Sequence, residues 1–130
     1  ETSANSAAEE RAERCACPSA GYCVAIRSDR MGDGDDELGR LLLRAYLNTL
    51  PEVDELPSHI VIYNTGVKTA MEGSDTAEAL ARLEAAGVEI TSCGTCADFF
   101  GIKDRIKVGS IGNMYKIARI TAAASHIVYP

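Results

Sequence analysis

Two cysteines, Cys93 and Cys96, are separated by two residues within the run 92–98. The apolar run before them, 87–91, is typical of a strand, and residues 99–101 are typical of a short helical turn. The two thiols are therefore expected where a strand leads into a helix. In open α/β sheets, ligands and reactive groups gather at this position, the carboxyl ends of the strands.

The local residue types favour a reactive thiol. Thr95 followed by Asp98 is a capping-box pattern, which makes Cys96 the first helical residue and leaves Cys93 just outside the helix. The unpaired N–H groups of a helix start carry partial positive charge and stabilise a thiolate, the nucleophilic form. Gly94 lets a ligand approach the backbone closely. We predict that Cys93 is the working thiol and Cys96 the resolving or second thiol; the alternative is that both are buried small apolar residues.

Composition limits the class of protein. The 130 residues fit one domain with a modest core, and 46% hydrophobic and 25% charged residues are ordinary for a globular domain. No apolar run approaches the roughly 20 residues that span a bilayer. The chain shows no secretory signal and does not begin with Met, so further residues are expected upstream. A net charge of −6 argues against binding to nucleic acid or to an anionic membrane.

The cysteines also indicate a compartment. Five cysteines without a regular framework favour free thiols in a reducing compartment, which predicts a cytoplasmic location. Residues 1–20 are dominated by Ala, Glu and Ser and are expected to form a flexible tail or linker before a domain at 21–130. Cys15 and Cys17 fall in this tail and are interpreted as incidental, with a second redox pair or metal ligands as the alternative.

Strand and helix patterns alternate along the domain. Strands are predicted at 22–26, 59–63, 87–91, 108–112 and 126–129. Helices are predicted up to about Leu50, at 76–86, at 102–107 and after a cap at Asn113. The connections are long enough for crossovers, so the pattern predicts an α/β fold with a parallel sheet and helices on both faces. The predicted inner residues are Leu38, Leu41, Leu42, Ala45 and Tyr46 of the first helix and Met114, Ile117, Ala118, Thr121 and Ala124 of the last.

Two loops are expected beside the dithiol. The loop 28–37 is neither a phosphate-binding loop nor a dinucleotide fingerprint, because its charges are acidic; Asp35 or Asp36 is predicted to cap the next helix, with a divalent cation site as the alternative. In the loop 64–69, Lys68 is predicted to lower the pKa of a neighbouring thiol or to hold an anionic sulfur or selenium species. The alternative for Lys68 is a solvated loop lysine.

Four segments together carry a family resemblance: 31–39, 63–68, 92–101 and 112–115. With them, residues 21–130 resemble the DsrE-like sulfur-relay family, and most of all the C-terminal domain of its YedF-type, selenium-metabolism branch. The resemblance implies a three-layer α/β/α domain with a mainly parallel five-stranded sheet. It also implies that Cys93 carries sulfur, or selenium, as a persulfide-type adduct, and that the subunits form small homo-oligomers.

The resemblance further implies partners and a site. Proteins of this branch often carry an N-terminal SirA/TusA-like sulfur-carrier domain, which these 130 residues lack, so a separate carrier of that type and a persulfide donor are the expected partners. No cofactor and no metal are expected. The candidate catalytic residues are Cys93 and Cys96, and the candidate substrate-binding residues are Gly94, Thr95, Asn64 and Lys68.

Other functions remain open from the residues alone. A thioredoxin-type dithiol oxidoreductase fits the CxxC motif, although that fold needs a proline downstream and none lies between Cys96 and Pro130. A zinc site would require Cys15 and Cys17 to join the two CxxC thiols. A non-catalytic oligomeric interaction domain is the third alternative, because a fold does not by itself specify an activity.

Overall fold

The structure, a computed structural model, describes residues 21–130 as a β-sheet with helices on both faces. Its strands are β1 (Cys23–Ile26), β2 (His59–Ile62), β3 (Glu89–Cys93), β4 (Ser110–Gly112) and β5 (Ile127–Val128). Its helices are α1 (Asp36–Thr49), α2 (Ala77–Ala85), α3 (Gly94–Phe99) and α4 (Met114–Ala123). Short 3₁₀ segments cover Leu50–Glu52, Asn64–Ala70 and Lys103–Arg105. The predicted tail, with Cys15 and Cys17, lies outside the described residues.

The sheet is parallel throughout, with the strand order β4-β3-β2-β1-β5. Parallel neighbours cannot be joined by a tight hairpin, so each strand is followed by a helical connection that returns the chain to the starting edge. This arrangement confirms the predicted α/β class, the five-stranded parallel sheet and the three-layer α/β/α architecture.

The core lies on both faces of the sheet. All four residues of β1 are buried, as expected for a strand covered from both sides. On the first face, leucines of α1 and α2 pack against the strands, and each buried leucine contributes about 1.5–3 kcal/mol through removal of apolar surface from water. On the second face, a smaller cluster comprises Cys23, Ala25, Val61, Cys93 and Ile117 of α4.

Helix α1 packs with a different side than the apolar spacing predicts. Of the predicted inner residues, Ala45 is exposed and Tyr46 half-buried, while the leucines are 43–51% exposed: Leu38, Leu41 and Leu42. The buried residues of α1 are instead Gly39, Leu43 and Leu47. The prediction was wrong because α1 carries apolar residues on two sides. Gly39 selects between them, since a side chain there would lie 2.9 Å from Cβ of Arg30.

Helix α4 buries fewer residues than predicted. Ile117 is buried, whereas Met114 is 56% exposed and Ala118 is exposed; Thr121 and Ala124 are half-buried. Among the described residues, no second long helix packs beside α4 on this face, so the positions flanking Ile117 stay open to solvent.

Both predicted helix caps are present. Asp35 Oδ1 accepts the N–H of Leu38 at 2.8 Å, and Asn113 Oδ1 accepts the N–H of Lys116 at 2.9 Å. The helix predicted at 102–107 is reduced to the single 3₁₀ turn Lys103–Arg105. Within residues 21–130, no helix has the length and apolar character needed to cross a membrane.

Candidate functional site

The segments singled out in the sequence meet at one edge of the sheet. The pairs Ile26–Ile62 and Ile62–Ser92 bring the carboxyl ends of β1, β2 and β3 level with one another. The acidic loop after β1, the segment Asn64–Ala70 after β2 and the dithiol after β3 therefore share this edge, as predicted. On the outer side, Cys93 is level with Gly112 of β4.

The start of α3 differs from the predicted capping box. Strand β3 extends to Cys93 because its last three residues pair with β4, and α3 begins at once with Gly94. Cys93 thus occupies the N-cap position in an extended conformation, φ −68° and ψ 122°, without a side-chain capping bond. Thr95 lies exposed inside the first turn, so its predicted capping role was wrong.

Cys93 is a buried thiol in this chain, with 3% of the residue exposed. It faces the second side of the sheet and belongs to the same apolar cluster as Val61 and Ile117. Ile117 comes from α4, so this helix forms part of the cover over Cys93. A reagent can reach Cys93 only if the cover shifts, and the stability of α4 therefore governs access to this thiol.

Cys96 is half-buried and lies against both Cys93 and Asn64. Its Sγ accepts the backbone N–H of Asn64 at 3.1 Å. Burial raises the pKa of Cys96, and the hydrogen bond with Cys93 and the negative charge on Cys93 raise that pKa further. The Asn64 N–H acts in the opposite direction and lowers the pKa. Cys96 thus lies between the Asn64 N–H and the Cys93 thiol, and it has a hydrogen-bond interaction with each.

Asn64 adopts a backbone conformation that presents its N–H to Cys96. Its φ of +55° is the one positive value among the described residues other than glycine. Asparagine tolerates this left-handed region better than most residues. Its Oδ1 accepts the N–H of Thr65 at 2.8 Å, which supports the tight turn. A strained residue in contact with a thiol is consistent with a functional position.

The remaining candidate residues occupy different surroundings. Gly94 is buried and Thr95 exposed, and both line a cleft on the outer side of α3. The Lys68 ammonium lies over the Phe100 ring, 4.8 Å from its centre. The structure thus brings Asn64 to Cys96 and directs Lys68 to an aromatic ring.

Cys23 is a core residue, as its position in an apolar strand indicates. It is fully buried, and burial raises the pKa of its thiol from 9.0 to about 11. Within the described residues, no group of three or more His, Cys, Asp or Glu side chains could hold a metal ion. The four-thiolate alternative depends on Cys15 and Cys17, which lie outside those residues.

Sequence reasoning missed two residues beside the dithiol. Ile117, which helps to cover Cys93, was assigned to the inner face of its helix but not to the site. Lys103 falls in the segment 102–107 that was predicted as a helix, and no local signal places it beside Gly94. The fold brings both close to the dithiol through contacts distant in sequence.

The sheet is open and parallel, and the dithiol lies at the carboxyl ends of its strands. This is the position at which open α/β proteins place their ligands and reactive groups. Residues 22–130 match the DsrE/DsrF-like family. The chain belongs to this family, whose members are usually linked to sulfur relay.

Solved structures share this fold at low sequence identity. The YchN protein from E. coli aligns with a TM-score of 0.60 and 20% identity, covering 85% of this chain and 98% of that one. Protein MTH1491 of unknown function from Methanobacterium thermoautotrophicum gives a TM-score of 0.59 and 20% identity, over 84% of this chain and 97% of that one. Protein BT1422 of unknown function from Bacteroides thetaiotaomicron gives a TM-score of 0.58 and 11% identity, over 84% of this chain and 94% of that one. No match was found among curated proteins.

Proposed function

We propose that this protein carries sulfur as a persulfide on Cys93. The observation that carries the proposal is the contact between Cys93 and Cys96 at the carboxyl edge of the sheet, with the Asn64 N–H directed at Cys96. The membership in a family linked to sulfur relay supports the same chemistry.

The reaction is a transfer between sulfur atoms without net oxidation. The Cys93 thiolate attacks the outer sulfur of a donor persulfide, R–S–SH, so that a new S–S bond forms on Cys93 and the donor S–S bond breaks. The donor leaves as a thiolate and takes up the proton that the new persulfide releases. An acceptor thiolate then attacks the outer sulfur on Cys93 in the same way and regenerates the Cys93 thiolate.

Cys96 has two roles in this proposal. In one, its S–H donates a hydrogen bond that stabilises a Cys93 thiolate or the persulfide anion. It can also attack the inner sulfur of the Cys93 persulfide, which forms a Cys93–Cys96 disulfide and releases the outer sulfur as hydrosulfide. The first role retains the sulfur atom on Cys93, and the second role releases that atom as hydrosulfide.

The finer assignments extend this proposal. The resemblance to the YedF-type branch supports selenium as an alternative cargo, a SirA/TusA-like carrier as donor or acceptor and the reducing cytoplasm as the compartment. The candidate substrate-binding residues remain Asn64, Gly94, Thr95 and Lys68, of which Asn64 has a direct contact with a thiol.

The proposal includes a homo-oligomer formed through the outer side of α1. Leu38, Leu41, Leu42 and Ala45 form an exposed apolar stripe at positions i, i+3, i+4 and i+7. Antiparallel pairing of two copies about a two-fold axis near Leu41 covers both stripes. Glu37 and Arg44 flank the stripe with opposite charges, which suits a contact between two copies of the chain.

The function is tested by loading the reduced protein from a persulfide donor and measuring its intact mass. The wild type is expected to gain one sulfur atom at the dithiol, and Cys93→Ser to lose that gain. Cys96→Ser should load but release its sulfur more slowly as hydrosulfide, because the Cys93–Cys96 disulfide cannot form. Cys23→Ala serves as the matched control, because it removes a buried thiol outside the site. Equal loading of the dithiol peptide in wild type and Cys93→Ser would refute the proposal.

The contact between the two thiols also favours a second candidate function, dithiol oxidoreduction. In that reaction the two thiols lose two protons and two electrons to a substrate disulfide, and a Cys93–Cys96 disulfide forms. The same mass measurement separates the two functions, because oxidation removes two hydrogen atoms whereas loading adds one sulfur atom.

A further inference from the structure

A cleft of about 700 Å³ lies on the outer side of α3, next to the dithiol. It is bounded by the start of α3, the turn Lys103–Arg105, the end of β4 and the first two turns of α4. Its volume falls in the range of small-molecule sites, roughly 300–1,000 Å³. Two of the candidate substrate-binding residues, Gly94 and Thr95, line this cleft.

The charge of this cleft is opposite to that of the chain. Three cationic side chains line it, Lys103, Lys116 and Arg119, against the single carboxylate of Asp98. The whole chain carries a net charge of −6, so the positive charge of this cleft contrasts with the negative charge of the molecule as a whole. A cleft of one charge sign raises the local concentration of ligands of the other sign.

The cationic groups are only partly neutralised. Lys103 Nζ lies 3.3 Å from Asp98, and Lys116 Nζ lies 3.5 Å from Glu89, which does not line the cleft. Arg119 forms no ion pair with a carboxylate of residues 21–130; its guanidinium lies 5.7 Å from the Tyr115 ring. These pairs are solvent-exposed and weak, so an incoming anion can compete for the cations.

The cleft borders Cys93 on two sides. Gly94 follows Cys93 in the chain, and Gly112 is its register partner on β4. A methyl group on Gly94 would lie 3.1 Å from Ile111 Cγ2 and 3.9 Å from Lys103 Nζ. The absence of side chains at both glycines thus lets the residues next to Cys93 pack closely, with Lys103 Nζ just beyond the Gly94 backbone.

We propose that this cleft binds the anionic part of a low-molecular-weight thiol that exchanges sulfur with Cys93. The inference rests on the proposed function and specifies its substrate class. The anionic thiol enters as its persulfide and leaves as the free thiol, or the reverse, through the balanced transfer described above. A carboxylate-bearing thiol and a phosphate-bearing thiol share this chemistry, and both fit cations supplied by lysine and arginine.

The test measures binding separately from transfer. S-methylglutathione, which bears carboxylates, and S-methyl-coenzyme A, which bears phosphates, are titrated into the reduced protein and followed by NMR; neither analogue can donate sulfur. At least one is expected to bind in a salt-sensitive manner, and the tighter one identifies the anionic group. The diethyl ester of S-methylglutathione, which lacks both carboxylates, is the comparison without an anionic group.

Two variants locate the site. Arg119→Gln and Lys103→Gln should each weaken binding roughly tenfold, as expected for a lost hydrogen bond to a charged group. Lys107→Gln, an exposed basic residue that does not line the cleft, should leave binding unchanged. Absence of binding by both analogues, or equal binding by the variants and wild type, would overturn the proposal.

The two proposals fail in different ways. If an analogue binds in the cleft but Cys93 takes up no sulfur from any donor, the proposed function is wrong and the cleft assignment stands. If Cys93 loads equally well from glutathione persulfide and from its diethyl ester, which lacks both carboxylates, the cleft assignment is wrong and the proposed function stands.

Discussion

At the scale of single residues, the dithiol is an asymmetric pair. Cys93 is buried beneath α4, and Cys96 is half-buried with the Asn64 N–H on its sulfur. Burial first, and then Cys93 itself, raises the pKa of Cys96. The two thiols therefore differ in burial and in hydrogen-bond partners, a difference that the spacing of the motif does not show.

Replacement of Cys93 should therefore change the titration of Cys96. In Cys93→Ser the negative charge beside Cys96 is removed, and the serine hydroxyl can donate to a Cys96 thiolate. The pKa of Cys96 is expected to fall, so its alkylation by iodoacetamide should begin at lower pH than in the wild type. The measurement is the pH dependence of the alkylation rate at Cys96, followed by peptide mass.

Cys23→Ala is the control for this titration, because Cys23 lies in the core and outside the dithiol. An unchanged pH midpoint for Cys96 in Cys93→Ser would show that the two thiols do not interact in solution.

Cys23 should make the protein sensitive to high pH. Its pKa is raised by burial from 9.0 to about 11, so the unfolded chain loses this proton before the folded chain does. The protonated Cys23 thiol contributes its full stabilisation of the folded state below the pKa that it has in the unfolded chain. This contribution is lost as the pH rises through the pKa that it has in the folded chain. The free energy of unfolding should fall by about 2–3 kcal/mol from this group between pH 9.0 and about 11.

Urea unfolding across that pH range measures the effect. Cys23→Ala should lose stability less steeply than the wild type, since tyrosine ionisation is common to both proteins. Parallel pH profiles for the two proteins would contradict the assigned pKa of Cys23.

At the scale of secondary-structure elements, the stability of helix α4 influences how readily a reagent reaches the Cys93 thiol. Asn113 caps this helix through the N–H of Lys116, and Ile117, one residue further on, covers Cys93. Removal of the cap in Asn113→Ala should cost about 1 kcal/mol and favour local opening of α4. Alkylation of Cys93 should accordingly become faster, by roughly fivefold for that free energy.

Asp35→Ala is the matched control for this prediction. It removes the equivalent cap from α1, which packs on the opposite face of the sheet, and should lower the stability without a comparable gain in Cys93 reactivity. Equal acceleration in both variants would indicate that Cys93 becomes accessible through global unfolding instead.

The sequence predicts those parts of the molecule that depend on local signals. The strands, the caps at Asp35 and Asn113 and the common edge for the loops follow from periodicity, polar caps and the geometry of parallel crossovers. The capping box at Thr95 failed because pairing with β4, which is not visible locally, extends β3 as far as Cys93.

The remaining differences between the predictions and the structure also arise from contacts between residues distant in sequence. The inner side of α1 was missed because its apolar residues occupy two sides, and the close approach of the loop to Gly39 determines which side packs. Likewise, the position of Lys103 beside Gly94 arises from packing between α3 and the following turn. Contacts distant in sequence decide these features, and periodicity carries no information about them.

At the scale of the whole molecule, the outer side of α1 presents an exposed apolar stripe within residues 21–130. In Leu41→Lys, a charge enters the centre of the exposed stripe of Leu38, Leu41, Leu42 and Ala45, so self-association should weaken by at least roughly tenfold, because a buried unpaired charge is costly. Sedimentation across a concentration series measures the change.

Val53→Lys is the control for self-association. Val53 is 41% exposed but lies outside α1, so its replacement should leave the assembly unchanged. A monomeric wild type, or an assembly that tolerates Leu41→Lys, would contradict the proposed interface.

The central claim is that Cys93 carries the transferred sulfur. The most direct measurement is fragmentation mass spectrometry of the peptide that contains both thiols, after the reduced protein has been incubated with a persulfide donor. The account predicts one additional sulfur atom on Cys93, removed by a reductant and absent from Cys96. Sulfur found on Cys96 alone, or a Cys93–Cys96 disulfide without any sulfur gain at early times, would contradict it.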